Sequence, residues 1–314
     1  MSPGEGPSSD GPGGPVGLPE PGSLVAQRFR IRRAIAQGAM GAVYEAQDED
    51  EGGRAVALKV LLPSLGQDDA VRRRFRREAS ILASVDHPVI VRVVGHGVDD
   101  GGAGGEPGAG RPWLAMERVP GTTLADRIRR PGPPLSPEEL APLLEALGAG
   151  LAAVHDRGIV HGDVKPENVL VLPPDHRGGG PPVRLVDFGL AKVEGLERLT
   201  RTGELSGTPA YLAPELITGE MPPDGRADVH GLGLVAYEAL SGRPAYAGEN
   251  LGQLLFAIAR GRRRPLGELR PGLSERLVAA VDAALEPSPA RRIPTPDAFA
   301  EAVREAVALP RRGT

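Results

Sequence analysis

Apolar positions in the first third of the chain come in short runs with a period near two. Phe29-Arg30-Ile31, Tyr44-Glu45-Ala46 and Val56-Ala57-Leu58-Lys59-Val60 are three such runs, separated by turn residues. Alternation of this kind over a few residues predicts half-buried strands. Val89 to Gly97 and Trp113 to Val119 predict two more, and the glycine-rich stretch Asp99 to Pro112 between them predicts a long hairpin loop. Asp68 to Ser84 changes period. Val71, Phe75, Ala79 and Leu82 recur at helical spacing, with Asp68 or Asp69 placed to cap the helix. Arg72, Arg73, Arg74, Arg76 and Arg77 crowd its other faces and predict a solvated surface.

Beyond Pro120 the helical period takes over. Thr122 to Arg130 predicts a short helix, broken by Pro131 to Pro134. Ser136-Pro137-Glu138-Glu139 is a helix start: Ser136 is the N-cap, Pro137 the first helical residue, and Glu139 completes a capping box. Such a cap contributes about 1 kcal/mol. Leu140, Leu143, Leu144, Leu147, Leu151 and Val154 form one apolar stripe, so this helix is a core pillar, and Gly158 is its expected stop. Pro173 to Pro182 is a Pro/Gly loop around His176, which reads as a surface histidine. Arg226 to Ser241 is apolar enough for a central buried helix ended by Gly242. Asn250 to Arg260, Ser274 to Leu285 and Thr295 to Val307 predict three further helices.

Composition changes this picture at the ends. Residues 1–21 are almost all Gly, Pro, Ser and acids, and bury too little apolar surface to offset ordering entropy; they read as a disordered tail, with residues 310–314 a short tail at the other end. The 314 residues suffice for one large domain or two lobes sharing a cleft. A net charge of −4 gives no global basic field for nucleic acid. Cysteine is absent, which rules out disulfides and thiolate metal sites and fits a reducing, cytoplasmic setting. No apolar run is long enough to span a bilayer, and the N-terminus lacks the order of a signal peptide. Nothing in the pattern specifies an oligomeric state.

The chemistry concentrates in two fragments. His161-Gly162-Asp163-Val164-Lys165-Pro166-Glu167-Asn168 lies between a helix and the apolar run Val169 to Leu172, and Asp187-Phe188-Gly189 follows the run Val183 to Val186. They place an acid, a lysine, an amide and a second acid on short turns between strands. Metal-assisted phosphoryl transfer needs that set: one carboxylate to face a hydroxyl, and an amide and another carboxylate to hold Mg²⁺ against a polyphosphate. Upstream, Ala36-Gln37-Gly38-Ala39-Met40-Gly41-Ala42-Val43 is a glycine-bearing turn in which backbone N–H groups can approach phosphate oxygens. By itself such a turn is more often a plain hairpin. Its distance from Val56-Ala57-Leu58-Lys59 favours the phosphate reading.

In this order the fragments resemble the eukaryotic-like serine/threonine protein kinases of bacteria, over about Leu24 to Val307. Gly207-Thr208-Pro209-Ala210-Tyr211-Leu212-Ala213-Pro214-Glu215 is similar to the end of that family's activation segment. The resemblance implies an α+β, two-lobed fold. Residues 24–119 would form a five-stranded antiparallel sheet with one helix, and residues 120–309 a mainly helical lobe. It also implies ATP as phosphoryl donor, Mg²⁺ or Mn²⁺ as metal, and Ser or Thr in proteins, the enzyme itself included, as acceptor. Lys59 would bind the α- and β-phosphates, oriented by Glu78. Asp163 would orient the acceptor hydroxyl, Lys165 steady the γ-phosphate, Thr208 support both, and Asn168 and Asp187 hold the metal. Ala36 to Gly41 would cover the phosphates, and Val43, Ala57 and Leu170 would sandwich adenine. Met116 would be the gatekeeper, with backbone groups of Glu117 and Val119 on the adenine edge. Phe188 and His161 would stack with Leu82 and Val93. Asp228 would brace the catalytic loop, and Arg292 would pair with Glu215. Thr200, Thr202 and Ser206 are candidate phosphorylation sites.

Two positions depart from the family pattern. Ala36 replaces the first glycine of the phosphate loop, and Gly162 replaces the arginine that docks a phosphorylated activation segment. The second departure predicts activity that does not strictly require that phosphorylation. Two other readings stay open. His-Gly-Asp also occurs in aminoglycoside and choline phosphotransferases, which lack Ala-Pro-Glu and the Lys165-Pro166-Glu167 version of the loop. A non-catalytic scaffold of kinase shape would normally lose Lys59, Asp163 or Asp187, and all three are present.

Overall fold

The computed structural model describes residues 18–38, 41–62, 69–99, 110–176, 180–188, 209–219 and 224–308. Residues 1–17 of the expected tail 1–21, the expected tail 310–314, Ala39, Met40, Asp68, Gly189, the candidate phosphorylation sites and Thr208 lie outside them, as do the side chains of Asp69, Val71 and Arg74.

Strands β1 (Leu24–Val25), β2 (Phe29–Gly38), β3 (Gly41–Asp48), β4 (Arg54–Leu61), β5 (Val93–Asp99) and β6 (Arg111–Glu117) form one antiparallel sheet in the order β1-β2-β3-β4-β6-β5. Helix α1 (Asp69–Ala83) packs against β5 and β6. Alternation along β4 decides what each face carries. Val56, Leu58 and Val60 are fully buried in a cluster with Phe29, Tyr44 and Trp113. Ala57 and Lys59 therefore point the other way, toward the second lobe. Gly41 lets β3 start close to β4: its φ is +149°, and a Cβ there would lie 2.1 Å from the carbonyl oxygen of Val60.

The second lobe follows as β7 (Thr122–Thr123), α2 (Leu124–Arg129), α3 (Pro137–His155), β8 (Val169–Val171), β9 (Val183–Leu185), α4 (Pro214–Thr218), α5 (Gly225–Ser241), α6 (Leu251–Ala259), α7 (Leu266–Leu269), α8 (Glu275–Ala284) and α9 (Pro296–Ala308). Strands β7, β8 and β9 form a small sheet. The cap of α3 is as its sequence dictates: the Ser136 hydroxyl accepts from the Glu139 N–H, and the Glu139 carboxylate accepts from the Ser136 N–H. All six residues of its apolar stripe are buried. Helix α5 is buried continuously from Ala227 to Leu240 and ends at Gly242, whose φ is +72°. Helices α3, α8 and α9 surround it.

The fold is the expected two-lobed one, with local corrections. The large sheet has six strands, because Leu24–Val25 pairs with Phe29 and Arg30. Leu18 packs on the outer cluster and Pro19 is buried, so packing begins inside the stretch expected to be a tail. The run Val89 to Gly97 is divided. Strand β5 begins only at Val93, while Val89 and Val91 exchange backbone hydrogen bonds with Leu185 of β9 and tie the two lobes together. Helix α3 stops at His155, and Gly158 serves the following turn with φ +72°.

Candidate active site

A cavity of about 320 Å³ lies between the lobes. Of the expected nucleotide contacts, Ala36, Val43, Ala57, Met116, Glu117, Val119, Leu170, Asn168 and Asp187 line it. Gln37, Gly38 and Gly41 at the β2–β3 turn do not line it, and neither does Lys59, which reaches the site through its pair with Asp187. Ile35, Val91 and Val186 do, and were not foreseen. Ile35, within β2, is 42% exposed, an apolar side chain at the cavity mouth that the fold leaves partly uncovered.

The polar end of the cavity is built on short connections. Helix α3 delivers the chain into residues 159–165, which have no regular structure, and a single 3₁₀ turn, Pro166–Asn168, leads into β8. Asn168 is buried. Its Nδ2 donates to the carbonyl oxygens of Asp163 (2.8 Å) and Asp187 (3.4 Å), so one amide ties the two loops together. The Lys165 ammonium donates to Asp163 Oδ2 at 2.9 Å. Asp187 has φ +59°, a conformation that costs a non-glycine residue about 1–3 kcal/mol and is found where function over-determines the backbone. Its carboxylate forms an ion pair with Lys59 of β4.

Behind the loop stands Asp228, with no exposed surface, on the first turn of α5. Oδ2 accepts from the His161 N–H (2.8 Å) and from His155 Nε2 (2.7 Å), and Oδ1 accepts from the Gly162 N–H (2.8 Å). Helix α5 comes this close because position 231 is glycine; a Cβ there would sit 2.7 Å from the Val164 Cβ. His161 packs its ring 4.3 Å from that of Phe188 in the core that also holds Leu82, with Val93 packed against it. Its Nδ1 accepts from the Asp163 N–H, and Nε2 faces the Val186 carbonyl. Burial lowers the His161 pKa, consistent with that neutral arrangement. Further out, Arg292 and Glu215 form a bidentate pair, both bonds 2.9 Å. The guanidinium also donates to the carbonyls of Arg226, Glu286 and Pro287.

One expected contact is not made. Lys59 has Asp187 as its ion-pair partner, not Glu78. The Asp187 carboxylate is within ion-pair distance of the ammonium, and the ammonium forms no pair with Glu78. Glu78 lines a second cavity, of about 510 Å³, with Arg73, Arg77, Ile81 and Gly158 to Val160.

The sequence matches the protein kinase domain family over residues 29–303. This chain is a member of the protein kinase family. Among similar curated proteins, PknA of Mycobacterium tuberculosis, a serine/threonine-protein kinase, is 37% identical over 286 residues, 91% of this chain and 62% of that protein. The serine/threonine-protein kinase pkn2 of Myxococcus xanthus is 38% identical over 258 residues, 81% of this chain and 29% of that protein. The chain thus spans less than two thirds of the length of either relative. Its kinase fold resembles the crystal structure of the M. tuberculosis PknI kinase domain, with a TM-score of 0.71 and 31% identity over 93% of this chain and all of that one. Rad53 in complex with AMP-PNP matches with a TM-score of 0.68 and 26% identity, over 88% of this chain and 64% of that one. No helix among the described residues is long and apolar enough to cross a membrane.

Proposed function

We propose that this protein kinase transfers the γ-phosphoryl group of ATP to serine or threonine hydroxyls of proteins, including its own. The observation that carries the reading is that Asn168 and Asp187 line the polar end of the cavity while Lys59 pairs with Asp187 and the Asn168 amide ties in Asp163, so that the four residues form one connected group. The walls suit adenine. Its edge would meet backbone groups of Glu117 and Val119, with Met116 behind, Ala57 and Val43 on one side and Leu170 on the other.

In the reaction the acceptor oxygen forms a bond to Pγ while the bond from Pγ to the β,γ-bridging oxygen breaks, and ADP leaves. The hydroxyl proton passes to Asp163, which Lys165 and the loop backbone hold in place. Lys59 offsets phosphate charge, a task of positioning and electrostatics more than covalent chemistry. Asn168 and Asp187 fit a hard divalent cation. The Asn168 nitrogen is committed to two carbonyls, so its Oδ1 stays available as a ligand, and Asp187 adds a carboxylate. Bound there, Mg²⁺ would neutralise phosphate charge. Glu78 takes its orienting role only by exchanging with Asp187 at Lys59. Thr208 and the segment sites Thr200, Thr202 and Ser206 are assigned by resemblance alone.

The test is transfer of label from ATP to a generic basic protein with Mg²⁺, with Asp163→Asn as the control. Wild type should label the protein and the variant should not. Equal incorporation by both would remove the reading.

A further inference from the structure

Six buried side-chain polar atoms have no hydrogen-bond partner among the described residues, and three of them belong to two neighbouring rings. They are both ring nitrogens of His230 and the hydroxyl of Tyr246. His230 has no exposed surface and Tyr246 is 2% exposed. The rings lie 8° from parallel with centres 6.2 Å apart, toward the wide end of the range of about 4.5–7 Å for aromatic pairs, and neither reaches a polar atom of the other. A buried polar atom without a partner has given up its bonds to solvent and gained nothing in return. Three such atoms side by side call for an occupant.

The cluster sits on the back of the helix that holds the catalytic loop. Position 230 of α5 is two residues, or about 200°, around the helix from Asp228. The Asp228 carboxylate faces the loop, and the His230 imidazole faces nearly the opposite way. Burial first, and then the positive charges of Arg292 and Arg263, hold that imidazole neutral.

Charge and the inventory of donors decide what fits. Arg292 has Glu215 at 2.9 Å, and Arg263 has Asp282 of α8 at 2.7 Å, so both guanidinium groups are already offset and no spare charge is left to hold an ion. Arg263 acts on the Tyr246 hydroxyl electrostatically without making a hydrogen bond of good geometry to it. A neutral imidazole needs an acceptor at one nitrogen and a donor at the other, and a phenol hydroxyl can use either. Water is both donor and acceptor, so one molecule can serve the ring and the hydroxyl whichever tautomer is present.

We infer that His230 and Tyr246 line an internal hydration site, in which at least one ordered water bridges the imidazole and the phenol behind α5. The site does not depend on the reaction proposed for the cavity between the lobes.

A crystal structure of the full chain, at a resolution that shows ordered water, reads the site directly. A density peak should lie about 2.7–3.2 Å from a His230 nitrogen and from the Tyr246 oxygen. An empty site, a direct bond between His230 and Tyr246, or a peak that bromide replaces in a soak overturns the inference. Oxygen-17 relaxation dispersion checks the same point in solution, because it counts long-lived internal waters. Wild type should hold at least one more than the double variant His230→Phe/Tyr246→Phe, whose cooperative urea unfolding shows that it folds. Equal counts in the two proteins also overturn the inference. Should the double variant not fold, the wild-type density decides alone.

Discussion

Asp228 is the residue on which the catalytic loop hangs, and replacing it separates loop geometry from nucleotide binding. It accepts three hydrogen bonds with no water-exposed surface of its own. Asp228→Asn keeps the shape but turns one acceptor oxygen into a donor. The milder orientation sets the new amide N–H against the Gly162 N–H and keeps the oxygen for His161 and His155. One donor then loses its partner, a cost of about 1–3 kcal/mol. Asp228→Ala strips all three donors at a similar cost each, together a large share of a typical stability of roughly 5–15 kcal/mol. The chemical effect is larger than the loss of stability suggests. Asp163 is the next residue along from Gly162, and a displacement of about 1 Å at a reacting group costs on the order of a hundredfold in rate. The cavity walls, by contrast, come mainly from the sheet and β8 and are not tied to Asp228. Asp228→Asn should therefore lower kcat about a hundredfold with KM for ATP changed by less than about threefold. Urea unfolding and steady-state kinetics on the same preparation measure both. A raised KM with kcat intact would refute the argument, as would unchanged kcat in a variant that has lost stability.

Other perturbations test other parts of the frame. Glu215→Gln replaces the carboxylate paired with the Arg292 guanidinium, which has no exposed surface, by a neutral amide that can accept only one of the two bonds and turns an N–H toward the other. Urea unfolding should record a loss of about 3–5 kcal/mol, and under 1 kcal/mol would mean the pair is not isolated from water. Joint replacement of Thr200, Thr202 and Ser206 by Ala should lower peptide phosphorylation by less than about a hundredfold, or 2.7 kcal/mol in barrier, because Gly162 offers no cation for a segment phosphate; a larger drop contradicts the role given to Gly162. His230 is completely buried and its pKa lies well below the usual histidine value of 6.5, because burial penalises its charged form. A folded pKa below the unfolded one means that stability is full above pH 6.5 and falls as the unfolded chain takes up the proton below it. Relative to His230→Phe, wild type should lose about 1 kcal/mol between pH 6.5 and 5.5, the slope steepening toward about 1.4 kcal/mol per pH unit below that, read from urea midpoints; parallel pH profiles would exclude a neutral buried histidine.

How far such reasoning starts from sequence alone depends on the range of the interaction. Ser136 and Glu139 announce the start of α3 because the cap is closed within four residues. The faces of β4 follow from alternation, which is local too. Leu24–Val25 escapes notice because two residues carry no period, and their strand exists only through pairing with Phe29 and Arg30. Val89 and Val91 look like more of β5 for the same reason, since what removes them from it is Leu185, almost a hundred residues on. Asp228 and the Arg292–Glu215 pair were anticipated through family resemblance, as no periodicity joins residues so far apart. The choice of Lys59 between Glu78 and Asp187 was beyond either route. The pair joins residues 128 positions apart, and neither a period nor a motif ranks the two carboxylates.

Gly162 ties these strands together. Its φ is +70°, in the region that costs a residue with a Cβ, and a Cβ placed there would meet nothing within 4 Å. Space is therefore no reason for glycine at this position, and backbone conformation is. With glycine the loop adopts its turn without strain and loses a cationic side chain at the same time. The hold on the loop then has to come from behind. It comes from the Asp228 carboxylate on the backbone N–H groups of 161 and 162, and from the close approach of α5 at Gly231. A catalytic loop fastened to a buried helix through its own backbone has less need of a phosphate on the opposite side. Restoring the cation by Gly162→Arg tests this directly. A Cβ has room, the backbone is strained by about 1–2 kcal/mol, and activity should become more dependent on Thr200, Thr202 and Ser206 than it is in wild type. If the arginine variant and wild type respond identically to loss of those three hydroxyls, the loop is not held in the way argued.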